Sequence, residues 1–353
     1  MIKNIIIDCE RMRHSYNGLY HYCYHLGNSI LKVINEDQEN ISFYLPDQAE
    51  NVFGKDINRL PQNFTHKFLF PNIKKIDVWH CTYQGSKYYP FGKNLAKILT
   101  VHDLNFLYDR NRSKAKIRRH LSDLQRKIDD SQHIVAISSF VLDDLNKHLS
   151  LSNKSTSVIY NGCNVDDLSP IIQPEVIYNE PFLFTIGTIV NKKNFHVLPP
   201  LLHSNNYKLV IAGIESSRDY KKQILKVAEA WNVADRIVFT GPISENDKKW
   251  YLSNCTAFLF PSIAEGFGLP VIEAMYFGKP VILSKCTSLP EIGGDSAYYF
   301  ENFDPSHMQE VLVNSLEHYN RTNPHDKIKE RAKSFSWERT AMQYLELYRT
   351  ISV

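Results

Sequence analysis

Short runs of apolar, β-branched and aromatic residues recur along the chain, and segments long enough for a helix separate many of them. In order they are Asn4–Asp8, Ile41–Leu45, Val78–Cys81, Lys97–Val101, His133–Ile137 and Ser157–Tyr160. They resume with Phe182–Ile186, Lys208–Ala212, Arg236–Phe239, Ala257–Phe260, Pro280–Leu283 and Ala297–Phe300. Runs this short, apolar toward both faces, predict strands of a parallel sheet covered by helices. Twelve strands are too many for one compact sheet in this length, and they fall into two sets of six. Between the sets, Asn161–Pro181 gathers Gly162, Asp166, Asp167, Ser169, Pro170 and Pro174, a composition of turns and linkers. The expected α/β domains are residues 1–168 and 169–335. Residues 336–353 hold a final helix, with Trp337, Ala341, Tyr344, Leu345 and Tyr348 three or four apart, expected to pack back toward the first domain. Two such domains in tandem leave a cleft, and open α/β sheets bind ligands beyond the carboxyl ends of their strands. The residues just after each strand are therefore the informative ones.

Composition narrows the function. With 43% hydrophobic and 22% charged residues, the 353-residue chain can bury two cores and is not disordered. A formal charge of +3 is too small for wholesale nucleic-acid binding. The first 170 residues hold 22 basic and 18 acidic side chains, the rest 19 and 20. No apolar run reaches the ~18–20 residues of a membrane-spanning helix. Met1–Asp8 reads as a buried strand, not a secretory leader. The six cysteines are far apart with no CxxC pair, which fits neither a zinc site nor a disulfide scaffold. A cytoplasmic location is expected.

The strongest motif runs from Pro261 through Glu265-Gly266-Phe267-Gly268-Leu269-Pro270 to Glu273-Ala274-Met275. A strand ends at Phe260 and a glycine-containing turn follows, where backbone can approach a ligand closely. Pro270 suits the first position of a short helix that Gly278 can close. The amides of Gly268, Leu269 and their neighbours then form an anion site at the positive end of the helix dipole. Glu273, one turn in, can accept two hydrogen bonds from a vicinal diol such as a ribose. Glu265 would repel a phosphate, so a sugar hydroxyl or developing positive charge suits it better. The bland alternative, that both glutamates merely favour the helix start, fits poorly with two glycines and a proline between them.

These residues resemble the retaining, GT-B-fold glycosyltransferases of family 4 (glycosyl transferases group 1). Their signature of two glutamates separated by seven residues is matched nearly throughout Pro261–Val281, and the likeness continues through Ser288–Ile292 and Gly294–Ala297. The resemblance implies two Rossmann-like α/β domains with parallel sheets facing across a cleft, the first for an acceptor and the second for a nucleotide-sugar donor. It implies donor contacts at Gly18, Gly187, Thr188, Lys192, Lys193, Gly241, Pro242, Gly266, Phe267, Gly268, Leu269 and Glu273, and catalytic roles for His102, Lys193 and Glu265. Lys193 matches a diphosphate-binding lysine. The arginine expected soon after Gly187 is Thr188 here, so Lys192 is the candidate replacement. Gly18 matches the first glycine of a loop after strand Asn4–Asp8, whose usual second glycine is Tyr20. His102 matches an active-site histidine near the transferred sugar. Tyr16, Tyr20, Tyr83 and Asp103 are acceptor-side candidates, as are His80 and Gln84; Asp103 reads equally as a helix cap.

Arg110–Lys127 holds eight basic residues and one acid, Asp123, with Ile117, Leu121, Leu124 and Ile128 at helical spacing. The simpler reading is a helix with its stripe in the core and its cations in water. The functional reading is a face against anionic lipid, as in relatives that use lipid-linked acceptors. No Asp-x-Asp occurs, so metal clamping of the diphosphate is not expected; no other cofactor is expected beside the nucleotide-sugar donor. The expected reaction moves a sugar, GDP-mannose being favoured slightly as donor, onto a glycan or glycolipid of lipopolysaccharide, O-antigen or capsule synthesis, with retention. A nucleotide-sugar epimerase on the same fold and a non-catalytic nucleotide-sugar-binding protein are the alternatives.

Overall fold

A computed structural model of the chain describes residues 2–13, 18–55, 57–71, 73, 75–109, 112–165, 171, 173–174 and 180–352. It divides into two compact units, Met1–Gly162 with Phe335–Val353, and Cys163–Ser334. The boundary expected after residue 168 lies outside the described residues.

Unit 1 runs β1 (Lys3–Asp8), α1 (Gly18–Val33), β2 (Glu39–Leu45), β3 (Asn58–Pro61), β4 (Val78–Cys81), β5 (Ala96–Val101), α2 (Lys114–Asp130), β6 (His133–Ala136), α3 (Ser139–His148) and β7 (Ser155–Val158). Its sheet is parallel throughout, in the order β3-β2-β1-β4-β5-β6-β7. β4 and β5 are buried along their whole length, which is why apolar residues dominate them, with His80, Lys97 and Thr100 as buried polar exceptions. The two edge strands behave differently. β3 (Asn-Arg-Leu-Pro) escapes the apolar pattern, and β7 (Ser-Thr-Ser-Val) begins two residues before the run expected at Ser157. An edge strand has one sheet neighbour and partial solvent contact, so its sequence need not be apolar.

Unit 2 runs β8 (Phe182–Ile186), β9 (Lys208–Ala212), α4 (Arg218–Ala230), β10 (Ile237–Gly241), α5 (Glu245–Asn254), β11 (Ala257–Phe260), α6 (Leu269–Tyr276), β12 (Val281–Ser284), α7 (Leu289–Gly293), β13 (Tyr298–Phe300), α8 (Pro305–Thr322) and α9 (His325–Lys333). Its parallel sheet has the order β10-β9-β8-β11-β12-β13.

The last helix, α10 (Trp337–Thr350), belongs to unit 1. Trp337, Ala341, Tyr344, Leu345 and Tyr348 enter the core beneath α1 and β1. A buried polar chain fixes its register. The Tyr344 hydroxyl lies 2.8 Å from both Tyr22 Oη and Thr100 Oγ1. The His80 ring meets Thr100 Oγ1 at 2.8 Å through Nε2 and Tyr348 Oη at 2.6 Å through Nδ1. At the far end Arg349 grips the buried Glu39 carboxylate at both oxygens, 2.6 and 3.0 Å. His80, an acceptor-side candidate from sequence, is therefore a core residue. It is fully buried within β4 with both ring nitrogens engaged, so it has no atom to offer an acceptor.

Candidate active site

In a doubly wound sheet, the strands on either side of the order reversal send their following loops apart and open a crevice at the carboxyl edge. In unit 2 those strands are β8 and β11, which pair with each other. After β8 the chain passes Gly187 and makes a tight turn over Asn191–Lys193, closed by Asn194 in the left-handed conformation at φ 59°. Asparagine tolerates that conformation better than most side chains. After β11 come Pro261, Ser262 and the loop to Glu265. Topology thus joins residues 72 apart: Lys193 Nζ lies 2.5 Å from Glu265 Oε1 and 4.7 Å above the Phe260 ring.

The pair is nearly buried and closely supported. Ser262 Oγ reaches Glu265 Oε1 at 2.6 Å, and the Glu265 amide donates to Thr287 Oγ1 at 3.0 Å. Ser288 Oγ sits 3.0 Å from the Glu265 carbonyl and 3.2 Å from that of Phe267. Burial alone would raise the Glu265 pKa. The charges of Lys193 and Lys192, with the hydrogen bonds of Lys193 and Ser262, outweigh it and hold the carboxyl below its usual range. Glu265 is an anion at neutral pH, and Lys193 is its counterion. Lys192 itself is exposed, as is Thr188, and its carbonyl accepts from the Ile263 amide at 2.9 Å.

Beneath this loop lies a backbone contact that sequence reading missed. Gly213, just after β9, has φ 131°, and a Cβ there would fall 2.1 Å from the Gly187 carbonyl oxygen. Its amide donates to the carbonyl of Gly241, a donor-side candidate at the end of β10, at 2.8 Å, and Pro242 follows exposed. A glycine directly after a strand was the available signal.

The helix expected to meet a phosphate offers fewer donors than the sequence suggested. Gly268 caps α6 at φ 102°, and Pro270 is its second residue, not its first. Pro270 has no N–H, and the Val271 amide is spent on Gly268 O at 2.9 Å. The amides of Gly268 and Leu269 have no partner among the described residues. They are the donors left for an anion, a narrower set than the sequence suggested.

Glu273 is buried in α6. Its Oε1 accepts from Lys248 Nζ at 3.1 Å and from Asn164 Nδ2 at 3.0 Å. Lys248, on α5, also pairs with Glu245 at 2.7 Å. Burial opposes the charge of Lys248, but the two glutamates more than compensate and raise its pKa. Glu273 Oε2 has no partner among the described residues, so a diol finds one free oxygen rather than two. No spacing in the sequence pointed to Lys248 or Asn164.

In unit 1 the reversal lies between β1 and β4. Asp8, ending β1, is fully buried; its Oδ2 accepts from Ser86 Oγ at 2.9 Å and its Oδ1 from the Glu10 amide at 3.0 Å. Burial, then the nearby Glu10, raise the Asp8 pKa. Lys127 Nζ donates to the carbonyls of Gln84 and Ser86, both at 2.6 Å. Neither Asp8 nor Glu10 stood out in the sequence.

His102 follows β5, buried edge-on against Tyr22, with Nε2 2.7 Å from the Thr82 carbonyl. A carbonyl only accepts, so Nε2 carries the proton and Nδ1 offers a lone pair. Burial lowers the pKa of His102 to about 4 and that of His80 to about 3. Both rings are therefore expected to show no protonation shift by NMR between about pH 8 and about pH 5, across which an unperturbed histidine titrates. A midpoint near 6.5 for either would contradict the burial described.

Asp103 caps its own turn, accepting from the Asn105 amide at 2.9 Å. Tyr83 lies half-buried beneath the Arg11 guanidinium, 5.0 Å away. Tyr20 stacks on Tyr24 along α1. Gly18 is the first residue of α1 rather than a loop glycine, and a Cβ there would meet nothing within 4 Å. Tyr16 lies outside the described residues.

The description "Glycosyl transferases group 1" matches residues 170–335, and "Glycosyltransferase Family 4" matches residues 41–167. The chain belongs to the family 4, group 1 glycosyltransferases. This glycosyltransferase is 24% identical over 290 residues to O-antigen chain mannosyltransferase B of Escherichia coli, covering 76% of this chain and 74% of that one. It is 29% identical over 219 residues to the O-antigen chain mannosyltransferase RfbU of Salmonella typhimurium, covering 61% and 60%. Its structure resembles sucrose-phosphate synthase from Thermosynechococcus elongatus, with a TM-score of 0.76 at 19% identity over 98% of both chains. That likeness shows the fold, GT-B, with its two parallel-sheet α/β domains. No described helix is long and apolar enough to cross a membrane.

Proposed function

We propose that this glycosyltransferase moves mannose from GDP-mannose to a hydroxyl of a lipid-linked bacterial glycan in O-antigen or lipopolysaccharide synthesis, retaining the anomeric configuration and requiring no metal. The Lys193–Glu265 pair carries the reading. Two named relatives are O-antigen mannosyltransferases, which supports the donor and acceptor. Unit 2 carries the donor chemistry. The ribose diol binds Glu273 Oε2, and the diphosphate meets the Gly268 and Leu269 amides and the two lysines. As the bond from the anomeric carbon to the β-phosphate oxygen breaks, its electron pair stays on that oxygen. Lys193, with Lys192, stabilises the charge. The acceptor oxygen bonds to the anomeric carbon on the same face, and its proton passes to the departing phosphate. Glu265 keeps Lys193 in place and faces the positive charge developing on the sugar. In unit 1, His102 Nδ1 accepts from a sugar hydroxyl, and Tyr20 and Tyr83 lie on the acceptor side. The cations at the start of α2 meet anionic lipid at the cytoplasmic face of the membrane.

A melting-temperature screen of UDP, GDP, ADP and dTDP tests the donor assignment, because a ligand of the folded state raises the midpoint. GDP is expected to give the largest rise. Glu273→Gln keeps the bulk but not the charge and is expected to weaken GDP binding about tenfold to a hundredfold, the cost of one charge-assisted hydrogen bond. An unchanged GDP shift in Glu273→Gln would remove the ribose role.

A further inference from the structure

His102 is held through its ring and through its main chain by one short loop, residues 82–86, between β4 and β5. The ring donates from Nε2 to the Thr82 carbonyl at 2.7 Å. The main chain is gripped by the amide group of Gln84. Its Oε1 accepts from the His102 N–H at 3.0 Å, and its Nε2 donates to the Asp103 carbonyl at 2.8 Å. Gln84, an acceptor-side candidate from sequence, thus spends both ends of its side chain on the strand end that carries the histidine. The loop is tight: the Ser86 amide donates to the Tyr83 carbonyl at 3.0 Å, and a Cβ on Gly85 would fall 2.6 Å from the Tyr83 ring.

Two elements fasten this loop in turn. At the end of β1, the Asp8 carbonyl accepts from the Thr82 hydroxyl, and Asp8 Oδ2 accepts from Ser86 Oγ at 2.9 Å. From the last turn of α2, Lys127 Nζ donates to the carbonyls of Gln84 and Ser86, both at 2.6 Å. Lys127 closes the basic run that began at Arg110, yet it is only 7% exposed. Among the described residues it makes no ion pair, and Glu10 and Asp8 act on it only beyond contact. Burying an ammonium without a carboxylate costs stability, and an apolar side chain of similar size would fill the space at less cost. What the ammonium adds is a pair of charge-assisted hydrogen bonds to one loop, on either side of Gly85. The same helix end braces the rest of the connection, where Tyr89 Oη lies 2.7 Å from Ser131 Oγ and donates to the Lys127 carbonyl at 3.2 Å.

We propose that Gln84 and Lys127 are positioning residues for His102. Lys127 fixes the loop and Gln84 fixes the main chain of the histidine. The Thr82 carbonyl then keeps the ring proton on Nε2, which leaves Nδ1 to accept from a sugar hydroxyl. This rests on the role given to His102 above and adds the residues that act through it. A reacting group needs such support, because its ring must stay within about 0.5 Å of the productive geometry.

The test compares Lys127→Met, which keeps the bulk without the ammonium, and Gln84→Met, which keeps it without the amide. Each is expected to lower kcat with GDP-mannose and a lipid-linked glycan about tenfold to a hundredfold, the effect of a displacement of about 1 Å at a reacting centre. KM for GDP-mannose, the GDP melting shift and the resistance of residues 1–162 to limited proteolysis are expected to stay as in the wild type. With ring-15N histidine, wild-type His102 is expected to show the Nε2–H tautomer alone. Both variants are expected to show a second tautomer and a protonation shift between about pH 8 and about pH 5, as water reaches the ring. In a His102→Ala background, Lys127→Met is expected to cost no further turnover, because a residue acting through the histidine has nothing left to act on. The positioning role is overturned if either folded variant keeps the wild-type ring state, or if Lys127→Met costs as much turnover in the His102→Ala background as alone. Should Lys127→Met leave unit 1 open to digestion, the half-buried Gln84 carries the test through Gln84→Met. Full turnover in His102→Ala would fail the reading of His102 in the reaction, and the ring state would still decide whether Gln84 and Lys127 hold it.

Discussion

Lys193→Ala is expected to lower turnover by about a hundredfold to a thousandfold, the usual effect of removing one preorganised charge from a developing anion, while GDP still raises the melting temperature. Lys192 does not replace it in full, because its side chain is exposed and its charge is screened by water. Space around it is specific as well: a Cβ at Gly187 would come within 3.0 Å of Lys193 Cε. Lys193→Arg is therefore expected not to rescue, because a planar guanidinium needs a different envelope from an ammonium. Comparing kcat with the GDP melting shift in both variants separates lost catalysis from lost folding. Turnover within about threefold of wild type in Lys193→Ala would remove the lysine from the reaction.

Ending the chain at Ser334 is expected to unfold unit 1 and leave unit 2 intact. The deletion uncovers the pocket filled by Trp337, Tyr344, Leu345 and Tyr348, each worth about 1.5–3 kcal/mol when buried. It also leaves His80, Thr100, Tyr22 and Glu39 without their α10 partners. That loss is comparable with the ~5–15 kcal/mol that stabilises a typical domain. Limited proteolysis is expected to degrade residues 1–162 and spare a fragment near 163–334. Tyr348→Phe isolates one part: it strands His80 Nδ1 and is expected to cost about 1–3 kcal/mol. A truncated chain that melts like the full one would show that α10 is not part of the unit 1 core.

The same division between periodic and non-local information runs through the whole molecule. Buried central strands such as β4, β5, β11 and β12 were legible because burial on both faces leaves a mainly apolar run. β3 was not, because an edge strand can be polar. Glu265, Glu273 and Lys193 were legible as types at motif positions. Their partners were not: Lys193 meets Glu265 only because β8 and β11 are neighbours, and Glu273 meets Lys248 only because α5 lies beside α6. His80 shows the reverse error, since a polar residue near a strand end looked like a site until α10 returned to cover it.

The most direct measurement of the central claim is product analysis after the wild-type protein is incubated with GDP-mannose and a lipid-linked glycan fraction, by mass spectrometry and then by NMR of the new linkage. The account predicts an acceptor heavier by one hexose, joined with the anomeric configuration of the donor, and no sugar turnover without acceptor. Conversion of the donor to another nucleotide sugar in the absence of acceptor, or an unaltered acceptor beside intact GDP-mannose, would contradict it.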